Sequence, residues 1–268
     1  PLGIIAAGLT VCVLGGEFDV SMSSVLTLAG VSVAMMMKNG HGASIAFLAA
    51  LGVGVIVGSI NASMVVYLKV PSLIATLATV VVIDGLSLLY SGGYRIYRGM
   101  KPEFLFMGTG RLIGIPMPIV ILVVWSLVVW IVLSKTIWGR RMYAVGVNPE
   151  AARLSGVNYA TNKFAIMLFC SIAAAIAAIV VVARVGAAEP FSRFAYVLDA
   201  FAAVFLGATV RLEGRPHMLG TVVGVLALGV LNNGLTMFGT SFFMQNILKG
   251  VLILLAVAGS VAIQLRRE

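Results

Sequence analysis

Long, uninterrupted apolar runs dominate this sequence and leave little material for a water-soluble surface. Charged residues make up only 10% of the chain and hydrophobic residues 61%, whereas a soluble domain carries roughly 25% charged residues. A surface so poor in charge would aggregate in water, so lipid must be the solvent. The runs are continuously apolar rather than alternating, which predicts helices and excludes a β-barrel.

Nine apolar segments succeed one another along the chain, and roughly 20 apolar residues cross a bilayer as a helix. We therefore predict an all-α membrane protein, a polytopic helical bundle forming a single transmembrane domain over residues 1–268. The chain starts at Pro1 and runs straight into an apolar segment, so we expect a further helix to precede it. The segments are Leu2–Leu14, Met22–Met37, Ala43–Leu68, Ser72–Tyr90, Pro116–Ser134, Asn162–Arg184, Ala195–Thr209, His217–Phe238 and Phe242–Leu265.

The net charge of +9 does not indicate a nucleic-acid partner. Basic residues are scattered between the apolar runs, without a basic helix or an aromatic-interleaved patch, and positive charge at the ends of spans is what membrane topology requires. Cys12 and Cys170 lie inside apolar runs and are predicted to be buried hydrophobic residues. His41 and His217 fall in turns, so we expect no metal site.

The positive-inside rule suggests an orientation for the bundle. If Lys135–Thr161 and the C-terminus lie in the cytoplasm, ten basic residues lie on the cytoplasmic side and seven on the outer side. The loop Ser91–Ile115 alone holds four of those seven, which narrows the difference in charge between the two sides. The inside set is Lys69, Lys135, Arg140, Arg141, Arg153, Lys163, Arg211, Arg215, Arg266 and Arg267, and the outside set is Lys38, Arg95, Arg98, Lys101, Arg111, Arg184 and Arg193.

The hydrophilic stretch Lys135–Thr161 contains the pattern of a short helix. Asn148 supplies a cap, Pro149 the first helical position and Glu150 an acid in the first turn, while Gly156 ends the helix. This helix is too short and too polar to cross a bilayer. It is either a connector lying on the surface or a docking element for a cytoplasmic partner.

Five motifs occur in an order that resembles one family. They are Gly15-Gly16-Glu17-Phe18-Asp19-Val20-Ser21, Asn61 with Pro71–Leu77, the loop Gly139–Val157, Leu198–Gly207 and Asn233-Gly234-Leu235. Together they resemble the permeases of bacterial ABC importers for ribose, xylose and galactose. The wider family also includes branched-chain amino acid and nucleoside permeases.

The resemblance implies the transmembrane subunit of an ABC importer, which forms the pathway for a sugar or sugar-like solute across the bacterial inner membrane. It also implies about ten helices, a fold similar to the vitamin B12-type importer and both termini of the full chain in the cytoplasm. In this family the loop within 135–161 is the coupling helix that seats in a groove of the ATPase. The residues expected to couple are Asn148, Pro149, Glu150, Ala151, Ala152, Arg153, Leu154, Ser155 and Gly156.

The sequence has no Gly-x-x-x-x-Gly-Lys-Ser/Thr phosphate loop. We therefore expect a non-catalytic subunit without a cofactor of its own, with ATP and Mg bound by a separate ATPase. The expected partners are cytoplasmic ATP-binding-cassette ATPase subunits, a periplasmic solute-binding protein, a second permease chain in a homo- or heterodimer, and membrane lipid.

Polar side chains inside the apolar runs are the candidates for the solute pathway, because such groups are costly in lipid. Amides suit a hydroxyl-rich solute and equally suit interhelical hydrogen bonds. For Glu17, Asp19 and Asp199 we favour capping and pairing with nearby Arg over solute contact, and Asp84 is a candidate to pair with Lys249. The pathway candidates are Asp19, Asn61, Thr76, Asp84, Asp199, Asn232, Asn233 and Gln245.

Two other transporter classes stay open: a branched-chain amino acid or nucleoside ABC permease, and a secondary transporter driven by ions through Asp84, Asp199 or Lys249. An intramembrane enzyme is not supported, because the sequence has no paired His–Glu metal motif, Gly-x-Ser-x-Gly elbow or Asp dyad.

Overall fold

A computed structural model describes residues 1–192, 194–210, 214–241, 244–251, 254, 255 and 258. Helices and one short hairpin account for the regular structure of these residues. The helices are α1 Leu2–Leu14, α2 Met22–Lys38, α3 Ala43–Val66, α4 Ser72–Ser91, α5 Pro102–Thr109, α6 Met117–Lys135, α7 Ile137–Val147, α8 Pro149–Leu154, α9 Tyr159–Val185, α10 Phe194–Ala208 and α11 Met218–Met237. Strands β1 Arg111–Leu112 and β2 Ile115–Pro116 pair antiparallel.

The prediction of a helical membrane protein is confirmed. Five helices, α3, α4, α6, α9 and α11, are long and apolar enough to cross a bilayer, and α1, α2 and α10 are shorter apolar helices. These eight helices coincide with eight of the predicted segments to within a few residues. The ninth segment, Phe242–Leu265, lies partly outside the described residues, which are helical over 244–251. The count of nine segments and the vitamin B12-type fold stay predictions.

Helix α9 is the central helix of the bundle. Its most apolar stretch is 72% buried, whereas that of α6 is only 11% buried. Close packing is possible because α9 carries alanine at 173–175, 177 and 178, all fully buried. Gly54 and Gly58 of α3 approach α9 closely, with Gly58 against Ser171. The Gly-x-x-x-Gly spacing in α3 thus marks a real helix contact, as small residues do in membranes.

A second pair of glycines joins α11 to α10 in the same way. Gly220 lies against Gly207, and Gly224 lies against the backbone of Ala203, so that a side chain at either glycine would collide with α10. Thr10 of α1 also contacts this pair of helices, because its hydroxyl lies 2.6 Å from that of Thr221. The three helices therefore pack as one group beside α9.

Described members of the two predicted sets of basic residues lie at opposite ends of the bundle. At one end Gly99 packs on the backbone of Lys38, and Arg95 lies 3.6 Å from Glu189. Helix α3 runs antiparallel to α9, so the end of α3 before Lys69 lies near the start of α9 and the preceding loop. Arg193, Arg211, Arg266 and Arg267 lie outside the described residues.

The loop Ser91–Ile115 is more ordered than the sequence suggested. It contains α5, whose Gly108 lies directly on the backbone of α9 at Ala183, and the hairpin β1–β2. The hairpin turns at Ile113 and Gly114, both with positive φ (51° and 80°). Two positive φ values are what a tight two-residue hairpin requires, although a β-branched residue rarely adopts one.

Candidate functional site

A backbone break, residues 15–21, separates α1 from α2 in the interior of the bundle. Helix α1 ends at Gly16, with φ of 77°; the Gly16 amide donates to the Val13 carbonyl and the Glu17 amide to the Cys12 carbonyl, each at 3.0 Å. This is the double hydrogen-bond pattern of a helix end with glycine in the left-handed conformation. The chain then turns back, and α2 packs on the same helix, α9, as α1 does.

The break extends from the first turns of α9, where Glu17 pairs with Lys163, toward the middle of that helix. The Met22 and Cys170 sulfur atoms are 3.3 Å apart, and Cys170 lies about 16 Å along α9 from its start at a rise of 1.5 Å per residue. This places the first residue of α2 near the middle of a 27-residue span. Irregular backbone at such depth is tolerated only where protein buries it or where it lines a cavity.

Side chains of α4 satisfy the backbone amides of the break. The Phe18 amide donates to the Ser72 hydroxyl at 3.1 Å, and the Val20 amide donates to the Thr76 hydroxyl at 3.3 Å. Thr76 in turn donates to the carbonyl of Ser72 at 2.8 Å. Helix α4 therefore supplies acceptors that a continuous helix would find in its own backbone.

A buried polar cluster, consisting of Asp19, Ser21, Asn61, Thr76 and Thr79, surrounds the break. Asp19 Oδ1 accepts from the Ser21 amide at 2.9 Å and from the Ser21 hydroxyl at 2.6 Å. Asn61 Nδ2 donates to the Ser21 hydroxyl at 2.8 Å, and its Oδ1 accepts from the Thr79 hydroxyl at 2.6 Å. The cluster thus joins α3 and α4 to the start of α2.

Asp19 retains unused hydrogen-bonding capacity. Its side chain is completely buried, and Oδ2 makes no well-aligned hydrogen bond in the part of the chain that the structure describes, although the Cys170 thiol and the Met22 amide lie near the carboxylate. A buried oxygen of this kind is costly unless a water, an ion or a ligand satisfies it in some state of the protein. Asp19 closes a turn onto Ser21, the residue before α2, instead of pairing with an Arg, and α2 has no side-chain cap hydrogen bond.

The predicted ion pairs form with other partners. Lys249 lies 3.1 Å from Asp199 Oδ2, so its pairing with Asp84 was wrong. Glu17 pairs with Lys163 rather than with an Arg. Each pair joins two segments distant in sequence, which no local pattern indicates.

Asp84 lies half-buried on α4, facing Ser24 of α2. Oδ1 of Asp84 and Oγ of Ser24 are both buried and, among the described residues, neither makes a well-aligned hydrogen bond. The two side chains therefore face each other without the bond that would hold them together.

The remaining pathway candidates lie on α11 and the segment after it. Asn232 is half-buried, and its Oδ1 has no hydrogen-bond partner among the described residues. Asn233 is exposed on the helix surface. Gln245 donates from Nε2 to the Thr240 carbonyl at 3.0 Å. The structure thus divides the candidates between the polar cluster and the α10–α11 side of the bundle, and contact with solute stays a prediction for all of them.

Three cluster partners were missed from the sequence: Ser21, Ser72 and Thr79. Ser72, Thr76 and Thr79 follow one another at spacings of four and three residues, which puts them on one face of α4. That spacing of hydroxyls in an apolar run was a usable signal for a polar face turned toward protein.

Aromatic rings line the break on the side of α10. The ring centroids of Phe18 and Phe201 are 6.0 Å apart, and Phe201 and Phe205 stack at 6.1 Å. Phe18 remains 40% exposed. An aromatic face thus lies next to the polar groups of the break.

The loop Lys135–Thr161 folds into two helices rather than one. The predicted helix is present as α8: Asn148 Oδ1 accepts from the Ala151 amide at 2.9 Å, and Gly156 ends the helix with φ of 80°. Helix α7 was not predicted. Ala152 is buried against the loop, whereas Leu154 is 85% exposed, so α8 projects an apolar side chain outward.

Comparison with known proteins assigns the family. Residues 1–257 match the family described as "Branched-chain amino acid transport system / permease component". The chain is 37% identical over 257 residues to the ribose import permease protein RbsC of Escherichia coli K12, covering 95% of this chain and 80% of that protein. It is 38% identical over 256 residues to RbsC of Bacillus subtilis, with the same coverage.

A third relative has another named solute. The chain is 33% identical over 263 residues to the autoinducer 2 import system permease protein LsrD of Yersinia enterocolitica, covering 96% of this chain and 80% of that protein. No solved structure gives a significant match. The resemblance predicted from the five motifs is confirmed, and the chain belongs to the family of permease components of branched-chain amino acid-type transport systems.

Proposed function

We propose that this chain is the transmembrane subunit of an ATP-binding-cassette importer and forms the pathway of a sugar or sugar-like solute across the bacterial inner membrane. The observation that carries the proposal is the similarity to ribose import permeases along 95% of the chain. A non-catalytic role fits this assignment, with ATP hydrolysed by a separate subunit.

The α7–α8 unit supports contact with such an ATPase. It joins the ends of two helices apolar enough to span the membrane, α6 and α9. Glu150, Arg153 and Leu154 are exposed on it, which gives one surface both charge and an apolar anchor. A buried apolar anchor within a polar rim is the usual composition of a specific protein interface.

A sugar fits the chemistry beside the break better than an aliphatic amino acid does. Sugar hydroxyls both donate and accept, as do the amides and hydroxyls of Asn61, Thr76 and Thr79, and Asp19 Oδ2 is an acceptor without a well-aligned donor among the described residues. Phe18 adds an aromatic surface, a common lining of small-molecule sites. The site lacks a free buried cation among the described residues to pair an amino acid carboxylate, since Lys163 and Lys249 are already paired.

The remaining features of the proposal follow from this function. The importer contains two permease chains, two ATPase subunits and a periplasmic solute-binding protein that delivers solute. The loop Lys135–Thr161 faces the cytoplasm, and Ser91–Ile115 faces the periplasm. Both termini of the full chain lie in the cytoplasm.

Uptake by the reconstituted importer tests the solute class. Proteoliposomes containing the full permease, its ATPase and its binding protein are given labelled ribose and labelled leucine in parallel. We expect ATP-dependent accumulation of the pentose or of another sugar that competes with it. Accumulation of leucine that sugars do not inhibit would contradict the sugar assignment and favour the amino acid alternative.

A further inference from the structure

An ion pair between the buried Glu17 and the half-buried Lys163 lies between the α7–α8 unit and the polar cluster. Lys163 Nζ pairs with Glu17 Oε1, and Nζ also lies 4.7 Å from the centre of the Tyr159 ring. Glu17 is only 3% exposed. Glu17 is the residue that closes α1, and Asp19 of the polar cluster follows two residues later.

A short connection links Lys163 to α8. Helix α9 begins at Tyr159, and the side chain of Asn158 caps it by accepting from the Thr161 amide at 3.0 Å. Gly156 ends α8 only two residues before that cap. Lys163 therefore lies in the first turns of a helix that begins after a connection of only four residues, which is a short path for a displacement of α8 to reach it.

A second contact joins the same two regions. Gly146 of α7 lies directly on the carbonyl of Leu14, the last residue of α1, with no room for a side chain. The end of α1 is therefore held at two points, by α7 through backbone packing and by the start of α9 through charge.

We propose that Glu17 and Lys163 are positioning residues that transmit movement of the α7–α8 unit to the break and its polar cluster. This inference rests on the proposed function. Separating the pair leaves the buried Glu17 carboxylate without its compensating charge, which costs more than breaking the neutral hydrogen bonds between the break and α4. When α8 moves, the Glu17 end follows Lys163, and the bonds of Phe18 and Val20 to Ser72 and Thr76 are the ones that open.

The ratio of solute imported to ATP hydrolysed tests this link in the complete importer, in proteoliposomes with ATPase and binding protein. For Glu17→Gln and for Lys163→Met we expect ATP hydrolysis to persist while the ratio falls by about ten-fold or more, within the usual range of coupling between linked sites.

Three further variants serve as controls. Lys163→Arg keeps the charge and is expected to retain most of the ratio, and so is the exchanged pair Glu17→Lys with Lys163→Glu. Lys69→Gln removes one positive charge from an exposed position at the same end of the bundle and serves as the control.

The possible results distinguish a failure of the Glu17–Lys163 proposal from a failure of the proposed importer function. If the wild-type importer takes up solute, and Glu17→Gln and Lys163→Met leave the ratio of solute imported to ATP hydrolysed unchanged, the proposed role of the Glu17–Lys163 pair is wrong while the proposed function stands. The proposed role is also wrong if Lys163→Arg lowers the ratio as much as Lys163→Met does, because Lys163→Arg keeps the positive charge. Wild-type vesicles that hydrolyse ATP with all partners present and import no solute would contradict the proposed function and the link with it. Copurification of each variant with the ATPase shows that it has folded.

Discussion

Asn61 donates from Nδ2 to the hydroxyl of Ser21 across 2.8 Å, and this bond fastens α3 to the backbone break in the middle of the membrane. The same amide accepts from Thr79 of α4 through Oδ1. The side chain of Asn61 thus links α3, α4 and the irregular backbone of the break.

Asn61→Leu removes both interhelical hydrogen bonds and leaves the Ser21 and Thr79 hydroxyls without this partner. We expect the free energy of unfolding in detergent to fall by about 1–2 kcal/mol, as for polar contacts between membrane helices. Thr236→Ala is the control, because, among the described residues, its exposed hydroxyl bonds only to the carbonyl of Asn232 in its own helix. Equal losses in both variants would show that the cluster contributes nothing particular to stability.

Gly146→Ala places a methyl group against the carbonyl of Leu14, and neither backbone can move without shifting a helix. We expect a loss of about 1–3 kcal/mol in stability, as for other overpacked sites, together with weaker stimulation of the ATPase by solute. Gly85→Ala is the matched control, since a methyl group there meets open space in α4. Unfolding in detergent and ATPase assays measure both effects, and identical behaviour of the two variants would refute the contact.

Reversing both charges on α8, with Glu150→Arg and Arg153→Glu, changes only exposed side chains. We expect insertion and folding to be unaffected and solute-stimulated ATPase activity to be abolished, because the partner surface is charge-matched to the original arrangement. Lys69→Glu, at an exposed position of the same end, controls for a general change of surface charge. Stimulation that survives the reversal would remove α8 from the ATPase interface.

Arg98→Cys and Ser155→Cys test the orientation of the bundle, since the native Cys12 and Cys170 are buried and should not react. We expect a membrane-impermeant maleimide to label Arg98→Cys from the periplasm and Ser155→Cys only after the cytoplasmic face is exposed. Labelling of Arg98→Cys from the cytoplasm alone would invert the topology.

Helices and caps could be predicted from the sequence because their causes are local. An apolar run long enough to cross a bilayer has few alternatives to a helix, and Asn148 with Pro149 and Gly156 marks both ends of α8 by side-chain and backbone preferences alone. Helices α5 and α7 were missed because they are short and lie in polar segments, whereas the prediction of helices relied on long apolar runs.

The partners of the buried charges could not be predicted. Glu17 meets Lys163 only because α1 and α9 pack side by side, and Asp199 meets Lys249 only once the last segment returns to α10. Sequence patterns describe neighbours along one helix, whereas these pairs depend on which helices are adjacent. Ser72 and Thr79 were also missed, although the spacing of the hydroxyls at 72, 76 and 79 was a usable local signal for a polar face of α4.

The source of energy for uptake tests the central claim most directly. Proteoliposomes containing the permease, its ATPase and its binding protein are compared under ATP with an uncoupler present, and under a proton or sodium gradient without ATP. The account predicts accumulation of solute in the first condition and none in the second. Accumulation by the permease alone, driven by an ion gradient and abolished by the uncoupler, would contradict it.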